Sequence, residues 1–518
     1  VFGTVLNLAR LARAAWTLAR HDAIFPAEYQ QAFPAPARLL GVLARLIAIR
    51  GRADNPGERL AHALEKLGPS YVKFGQIMAT RADVVGPHFA RGLARLQDKM
   101  APFGLERAEA TIRSELGGQV SDWFSHLGEP VAAASIAQVH KAVTADGRTV
   151  AVKILRPDVE RRIRRDISVL RLGAKLAEGL FPASRRMEPE AFVETVARSL
   201  TLELDLRLEA ASASELSEAA VAAQNFWIPE IDWSRTTKRV MTLEWIDAIP
   251  MTDMDRVKAA GIDTVQLATD LTDAFLTTAL ERGVFHADLH AGNLFVTEDG
   301  RLWAVDFGIM GRLGAEERRY LARILHGFLV RDYDAAAEAH FAAGYVPGRY
   351  SKADFASALR AVAEPIFGKT ADEVPMSRVL MQLFEITDLF DMHLQPQLVM
   401  LQKTMVQAEG VCRSLTDRHN MWKASAPSVE RFMRRELGPE GKVRDLVRDL
   451  EKMHGALLSL PDTLERLSRA AEAIETEPPI RPRVLAQKWA GRILTALVIA
   501  GAGALITAYF FGAFDGGG

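Results

Sequence analysis

The chain has 518 residues, 49% of them hydrophobic and 25% charged, which suffices for two or three domains with a substantial core and excludes disorder as its main state. Its 64 Lys and Arg balance 65 Asp and Glu, so there is no global attraction for nucleic acid, which is not expected as a partner; any phosphate-binding surface must be local. The single cysteine, Cys412, excludes an internal disulfide and a thiolate cluster for zinc.

Residues 5 to 20 set Arg10, Arg13, Thr17 and Arg20 opposite Leu8, Leu11, Ala15 and Leu18, which predicts a basic amphipathic helix that either lies on an anionic membrane or docks on the body. Pro26, Pro34 and Pro36 then break the chain, and a helical region follows to about residue 116. Beta-like runs at 130 to 143 and 149 to 155 flank a turn at Ala145-Asp146-Gly147. Helical patterns return at 158 to 180 and 189 to 222. Short strands are expected at 237 to 243, 294 to 297 and 302 to 305, followed by mainly helical sequence to about 472.

The run "PPIRPR", 478 to 483, reads as a stiff connector. Residues 493 to 511 then carry no charge and, at about 1.5 Å per residue, nearly cover a hydrocarbon core of roughly 30 Å. A transmembrane helix is expected there, with a buried terminal helix as the alternative. Arg481, Arg483, Lys488 and Arg492 precede it, which keeps the large domain on the cytoplasmic side. Ala496, Ala500, Ala504 and Ala508 form a small-residue stripe suited to a second helix, hence a homodimer expectation.

The stretch "VFHADLHAGNLFV", 284 to 296, places Asp288, Asn293, His286 and His290 between apolar flanks. A loop can bring Asp288 to an attacking oxygen while Asn293 and the Asp306 of "VDFG" offer hard oxygen ligands to magnesium. "NLFVTEDGRLWAVDFG" reads as a hairpin delivering Asn293 and Asp306 to one side of a cleft. His286 and His290 are expected to orient the loop; no E-x-x-H pairing or cysteine supports zinc. Upstream, "VAVKIL" ends an apolar run on Lys153, suited to bridging phosphate oxygens, and its expected acidic partner is Glu209 of "ELDLRLEA". Asp205 and Glu209 have i,i+4 spacing and would share a helix face, whereas Glu203 need not. The plain alternative is a solvated acidic face.

The order of phosphate loop, strand lysine, helix glutamate, linker, catalytic aspartate, metal asparagine and metal aspartate is that of a protein kinase. "LEWI" occupies the linker position, where backbone groups of Glu244 and Ile246 would meet adenine. Two departures stand out. The phosphate loop is "VAAASIAQVH", with Ala132, Ala134 and Ala137 where glycines are usual and Val139 following, so nucleotide geometry should differ. After Gly308 the sequence runs almost directly into "LGAEERRYLARIL", without an A-P-E motif, which removes a protein-docking platform and points to small-molecule transfer or ATP hydrolysis.

Together with "KFGQ" at 73 to 76, "VAVKILRP" at 150 to 157, "ELD" at 203 to 205 and "HADLHAGN" at 286 to 293, these motifs resemble the ABC1 atypical kinase-like family, whose members serve ubiquinone biosynthesis. The resemblance covers most of residues 1 to 330. It implies an α+β, bilobal, atypical protein-kinase-like fold with a helical N-terminal extension (1–115), a kinase-like domain (116–472; lobes about 116–243 and 247–472), a basic linker (473–492) and a C-terminal transmembrane helix (493–511). It further implies ATP and Mg2+ as cofactors, with Lys153 on the phosphates and paired to Glu209, and Asp288 as catalytic base. Asn293 and Asp306 would hold the metal. The loop Ala132, Ala133, Ala134, Ser135, Ile136, Ala137, Gln138 and Val139 would cover the nucleotide. Lys73 and Gln76 would fold over the active site, with Glu203 and Asp205 as companions and Glu203 pairing Lys73. Implied partners are inner-membrane lipids, ubiquinone precursors or quinone-like lipids, and ubiquinone biosynthetic enzymes, at a bacterial inner membrane crossed once or twice. Two functions follow: an atypical kinase or ATPase without ordinary protein-kinase activity, or an ATP-responsive lipid-binding scaffold or chaperone.

Overall fold

The computed structural model describes residues 2–23, 55–79, 100–180, 188–365 and 395–438, with a few positions between 89 and 96 and between 382 and 392. The expected connector, the transmembrane helix and its small-residue stripe lie outside the described residues. Among those described, no helix is long and apolar enough to cross a membrane.

Helix α1 (Phe2–Arg20) is docked, burying Leu11, Ala14, Ala15 and Ala19 while Arg13, Trp16 and Arg20 face outward. Helix α2 (Pro56–Leu67) starts where the Asn55 side chain accepts from the Gly57 amide and Pro56 fills the first turn. Gly68, at φ 114°, turns the chain into α3 (Pro69–Ala79). An Arg59–Asp22 ion pair at 3.5 Å ties α2 to the end of α1.

The small lobe follows from α4 (Leu105–Leu116). Strands β1 (Phe124–Ala133), β2 (Ala137–Thr144), β3 (Thr149–Leu155) and, later in the chain, β5 (Val240–Glu244) form an antiparallel sheet in the order β1-β2-β3-β5. Alternation along β3 sends Val150, Val152 and Ile154 to one face, where they pack on Ala108 and Ile112 of α4, and Lys153 to the other. The helix before residue 116 is therefore part of this lobe's core. The run expected at 130 to 143 is a hairpin rather than one strand: residues 134 to 136 make a tight turn in which the Ala134 amide donates to Ala137 O at 2.8 Å.

After α5 (Val159–Leu180), the pattern expected as one helix over 189 to 222 is two, α6 (Pro189–Leu202) and α7 (Leu206–Ala220). The break has a cause in Asp205, which adopts extended backbone and caps α7 by accepting from the Arg207 amide. Asp205 therefore does not share a face with Glu209. Helix α7 buries Leu206, Ala210, Ala213 and Leu216.

In the larger lobe, β4 (Phe226–Trp227), β6 (Ile249–Pro250), β8 (Leu294–Val296) and β9 (Leu302–Ala304) pair in the order β4-β9-β8-β6, with β8 and β9 the expected hairpin. Strand β7 (Val284–His286) pairs with β10 (Met310–Arg312). Around them pack α8 (Thr264–Thr277), α9 (Ala315–Leu329), α12 (Pro396–Leu415) and α13 (Met421–Leu437). Helix α9 begins three residues after β10, so the chain beyond Gly308 holds no long activation segment.

Helices α10 (Tyr333–Ala342) and α11 (Lys352–Ala363) close over a satellite core of Tyr333, Phe355, Leu359 and Phe390. Within it, burial lowers His340 from 6.5 to about 4, against its bond to Ala336 O at 2.8 Å. The folded state thus favours neutral His340. Its stabilising contribution is fully present above about pH 6.5 and is lost as pH falls from there toward 4, on the order of 3 kcal/mol. Urea unfolding followed from pH 7.5 to 4.5 should show this decline, and His340→Phe should flatten it; an unchanged slope in the variant would refute the assignment.

Candidate active site

The cleft between the lobes gathers side chains from several separate segments. Lys153, on the cleft face of β3, donates to Glu209 Oε1 at 2.5 Å and to Asp306 Oδ1 at 3.2 Å. Glu209 reaches it because α7 packs beside β5, with the buried alanines next to Glu209 letting the helix approach. Burial works against the Lys153 charge, but Asp306 and Glu209 outweigh it and raise its pKa. Conversely, the Lys153 charge, against burial and with help from Lys73, holds the Asp306 carboxyl well below the usual carboxylate range. Glu209 is raised, by burial first and by its like-charged neighbour Asp306, with Lys153 opposing. The three form one charge-sharing unit.

Asp306 adopts φ +64°, a left-handed conformation that aspartate tolerates better than most residues and that commonly marks functional positions. Its carboxylate is 55% exposed, open to the cleft. Asn293 is buried and donates its Nδ2 to the Asp288 carbonyl at 3.1 Å, while the Val305 amide donates to Asn293 O at 2.9 Å. Its Oδ1 is left to act as an acceptor. One ionised carboxylate, exposed at the cleft, and one amide oxygen suit magnesium, which binds through one or two protein oxygens plus phosphate and water. Among the described residues no group of three or more His, Cys, Asp or Glu could hold a metal alone, so phosphate oxygens would have to complete the shell.

The histidines orient the loop, as the sequence suggests. His286 accepts the Asp288 amide at Nδ1 (3.1 Å), which assigns the proton to Nε2, and that nitrogen donates to Val305 O at 3.1 Å. It thereby ties the catalytic-type loop to the strand before Asp306. His290 accepts the Gly292 amide at Nδ1 and turns Nε2 to Asp288 Oδ2 at 3.4 Å.

Asp288 also has two partners that sequence reasoning missed. Its Oδ1 accepts from Lys403 Nζ and from Gln407 Nε2, both at 2.9 Å, across 115 and 119 residues of chain. Burial pushes this carboxyl up, but the His290 bond, the Lys403 charge and Gln407 outweigh it and the pKa is depressed. The available signal was two polar residues one helical turn apart in "QKTMVQAEG", on a helix whose Leu401, Thr404 and Ala408 are buried. Nothing in that spacing points to Asp288.

The "KFGQ" helix also reaches the site. Lys73 pairs with Glu203 at 3.4 Å, as the resemblance implied. Gln76 donates to Leu96 O at 3.2 Å. Gly75 permits this seat, because a Cβ there would come within 2.4 Å of Leu96 and 2.6 Å of Leu64. Glu203 caps the C-terminal end of α6, and Asp205 instead bonds Arg207 at 2.6 Å.

Two sets of expected nucleotide-contact groups are partly engaged within the protein. In the alanine loop, Ala132 is exposed and Ala133, Ala134 and Val139 are half-buried, but Ser135, Ile136, Ala137 and Gln138 are packed inward. The Gln138 amide exchanges hydrogen bonds with the Phe103 backbone at 2.9 and 3.1 Å and contacts His140 at 2.8 Å, so its side chain braces the loop within the small lobe. In the linker, the Glu244 amide donates to Glu230 O at 2.8 Å because Glu244 is the last residue of β5. That amide is engaged within the small lobe, which leaves the Glu244 carbonyl and the Ile246 backbone, beyond the strand, as the linker groups that could meet adenine.

Residues 95–340 match the ABC1 atypical kinase-like domain and residues 359–420 the UbiB helical domain, which contains Lys403 and Gln407. A "Probable protein kinase UbiB" of Marinobacter nauticus is 36% identical over 96% of this chain and 93% of its own length. The same-named proteins of Pseudomonas paraeruginosa and Pseudomonas aeruginosa are 38% identical over 86% of this chain and 84% of theirs. The erythromycin complex of Rv3197 from Mycobacterium tuberculosis, at 24% identity, covers 77% of this chain and 98% of its own with a TM-score of 0.49, so the fold rests on the strand order described above. Identity sustained over nearly the whole length of these relatives, with both domain models in sequence, means that the chain belongs to the UbiB group of the ABC1 atypical kinase-like family.

Proposed function

We propose that this protein binds MgATP in the cleft and transfers its terminal phosphoryl group to water or a small acceptor, in support of ubiquinone biosynthesis at a membrane surface. The observation that carries this reading is Lys153 held between Glu209 and Asp306, with Asp288 and Asn293 on the adjoining loop. In hydrolysis, water attacks the γ-phosphorus as the bond to the β,γ-bridging oxygen breaks, giving ADP and inorganic phosphate; the water proton passes to the phosphate or to solvent. Lys153 neutralises phosphate charge, Asp288 orients the attacking oxygen, and Asn293 with Asp306 would hold magnesium, which supplies further charge neutralisation when bound. The Lys73–Glu203 contact and the short chain between Gly308 and α9 favour water or a small acceptor over a protein substrate.

A membrane location is supported by the outward side of α1. Leu6 and Trp16 are more than half exposed beside Arg13 and Arg20, and Arg161, Arg162, Arg164 and Arg165 lie exposed on the neighbouring α5. Apolar anchors ringed by cations suit an anionic lipid surface. The charge-free run 493 to 511 would anchor the chain in the inner membrane, with the kinase-like body on the cytoplasmic side. Quinone-like lipids and ubiquinone biosynthetic enzymes are the partners this location would offer.

The test is phosphate release from ATP by the full chain in anionic, quinone-containing vesicles as magnesium is varied. Magnesium-dependent release is expected. Nucleotide binding without any release would overturn catalysis and favour the ATP-responsive scaffold.

A further inference from the structure

We propose that Lys403 and Gln407 are positioning residues of the phosphoryl-transfer site, so that α12 acts as part of the catalytic unit rather than as a separate helical appendage. This rests on the reading that ATP is turned over at Asp288. Both side chains donate to the same oxygen, Asp288 Oδ1, at 2.9 Å. A carboxylate accepts and cannot donate, so the Gln407 NH2 must be the end that faces it. The two donors fix the rotation of the carboxylate, while Oδ2 keeps, among the described residues, the long contact to His290 at 3.4 Å and remains the oxygen able to accept a hydrogen bond from an incoming hydroxyl or water and so orient it.

The clamp is mounted on a rigid support. Leu401, Thr404, Ala408, Val411 and Cys412 of α12 are buried in the main core. Cys412 Sγ donates to Ala268 O of α8 at 3.4 Å, which fastens the helix two turns below Lys403. Gln407 Oε1 is buried with no hydrogen-bond partner among the described residues. Desolvating that acceptor has a cost, and the arrangement persists because the other end of the amide holds Asp288. Lys403 in turn places a positive charge beside the carboxylate from α12, on the oxygen that His290 of the loop does not contact. A merely structural lysine would be free to point outward from its helix, as its one-third exposure shows there is room to do.

The test is a double-mutant cycle on ATP turnover by the full chain in vesicles, using Lys403→Met, Asp288→Asn and the double variant, with ATP Kd and thermal midpoint recorded for each. If Lys403 acts through Asp288, Lys403→Met lowers kcat about tenfold or more with ATP Kd within about threefold. Lys403→Arg should recover most of that loss. In the Asp288→Asn background, removing Lys403 should then cost little more. Gln407→Leu, which keeps the helix face filled, should lower kcat in the same manner. Additive losses in the cycle, or unchanged kcat in Lys403→Met, overturn the role. Absence of turnover in the wild-type protein would overturn the ATPase reading and this role together, an outcome distinct from a working wild type with an additive cycle.

Discussion

Asp288→Asn lowers kcat for ATP hydrolysis by about 10²-fold or more while ATP Kd stays within about threefold. The asymmetry follows from where Asp288 sits. It bonds Lys403, Gln407 and His290, whereas Lys153 and Asp306 bond each other and form the proposed phosphate and metal side of the cleft. Asparagine keeps an oxygen for Lys403 and nearly the same volume, so folding survives. What is lost is the negative charge and the single orientation that two donors impose, because an amide presents an NH2 on one side. Turnover and calorimetric ATP binding, compared on the same folded preparations, decide the matter. Turnover within threefold of wild type would remove Asp288 from the reaction, and a parallel loss of binding would move it to the nucleotide.

Asp306→Asn has the opposite signature. Wild-type protein should bind ATP about tenfold or more tightly with magnesium than with a chelator, and the variant should bind equally in both. Asparagine is the informative replacement because it also tolerates the left-handed backbone at φ +64°, so the loop need not rearrange. Among the described residues, the substitution removes the one carboxylate that both contacts Lys153 and is largely exposed; Glu209, the other partner, projects from α7 and is 10% exposed. Lys153 then relaxes onto Glu209 alone and still neutralises phosphate, so metal-free binding persists. Retention of the magnesium enhancement would show that Asp306 is not a ligand.

Much of this arrangement was legible in local patterns. The alternation of "TVAVKIL" puts Lys153 on the face opposite Val152 and Ile154, and turn residues in "TEDGR" place Asn293 and Asp306 at adjoining ends of one hairpin. Such features depend on side-chain period and turn chemistry, which neighbours in sequence control. The break between α6 and α7 was also written in the chain: Asp205 is a good cap, and helical periodicity alone passed over it.

What remained hidden involves groups whose direction is set by distant packing. Gln138 follows the alanine loop in sequence, yet Phe103 draws its amide to the far side of the sheet. Glu244 holds the linker position, yet Glu230 takes its amide because an extra bridge forms along β5. Lys403 and Gln407 are ordinary polar residues one turn apart until α12 is seated on α8 and brought to the loop. The sequence by itself determined the family and the set of residues on which the proposed chemistry rests, through the ordered lysine, glutamate, aspartate, asparagine and aspartate. Only the tertiary structure decided which donors aim the central carboxylate, since a contact across 115 residues leaves no trace in local periodicity and exists only once two helices share a core.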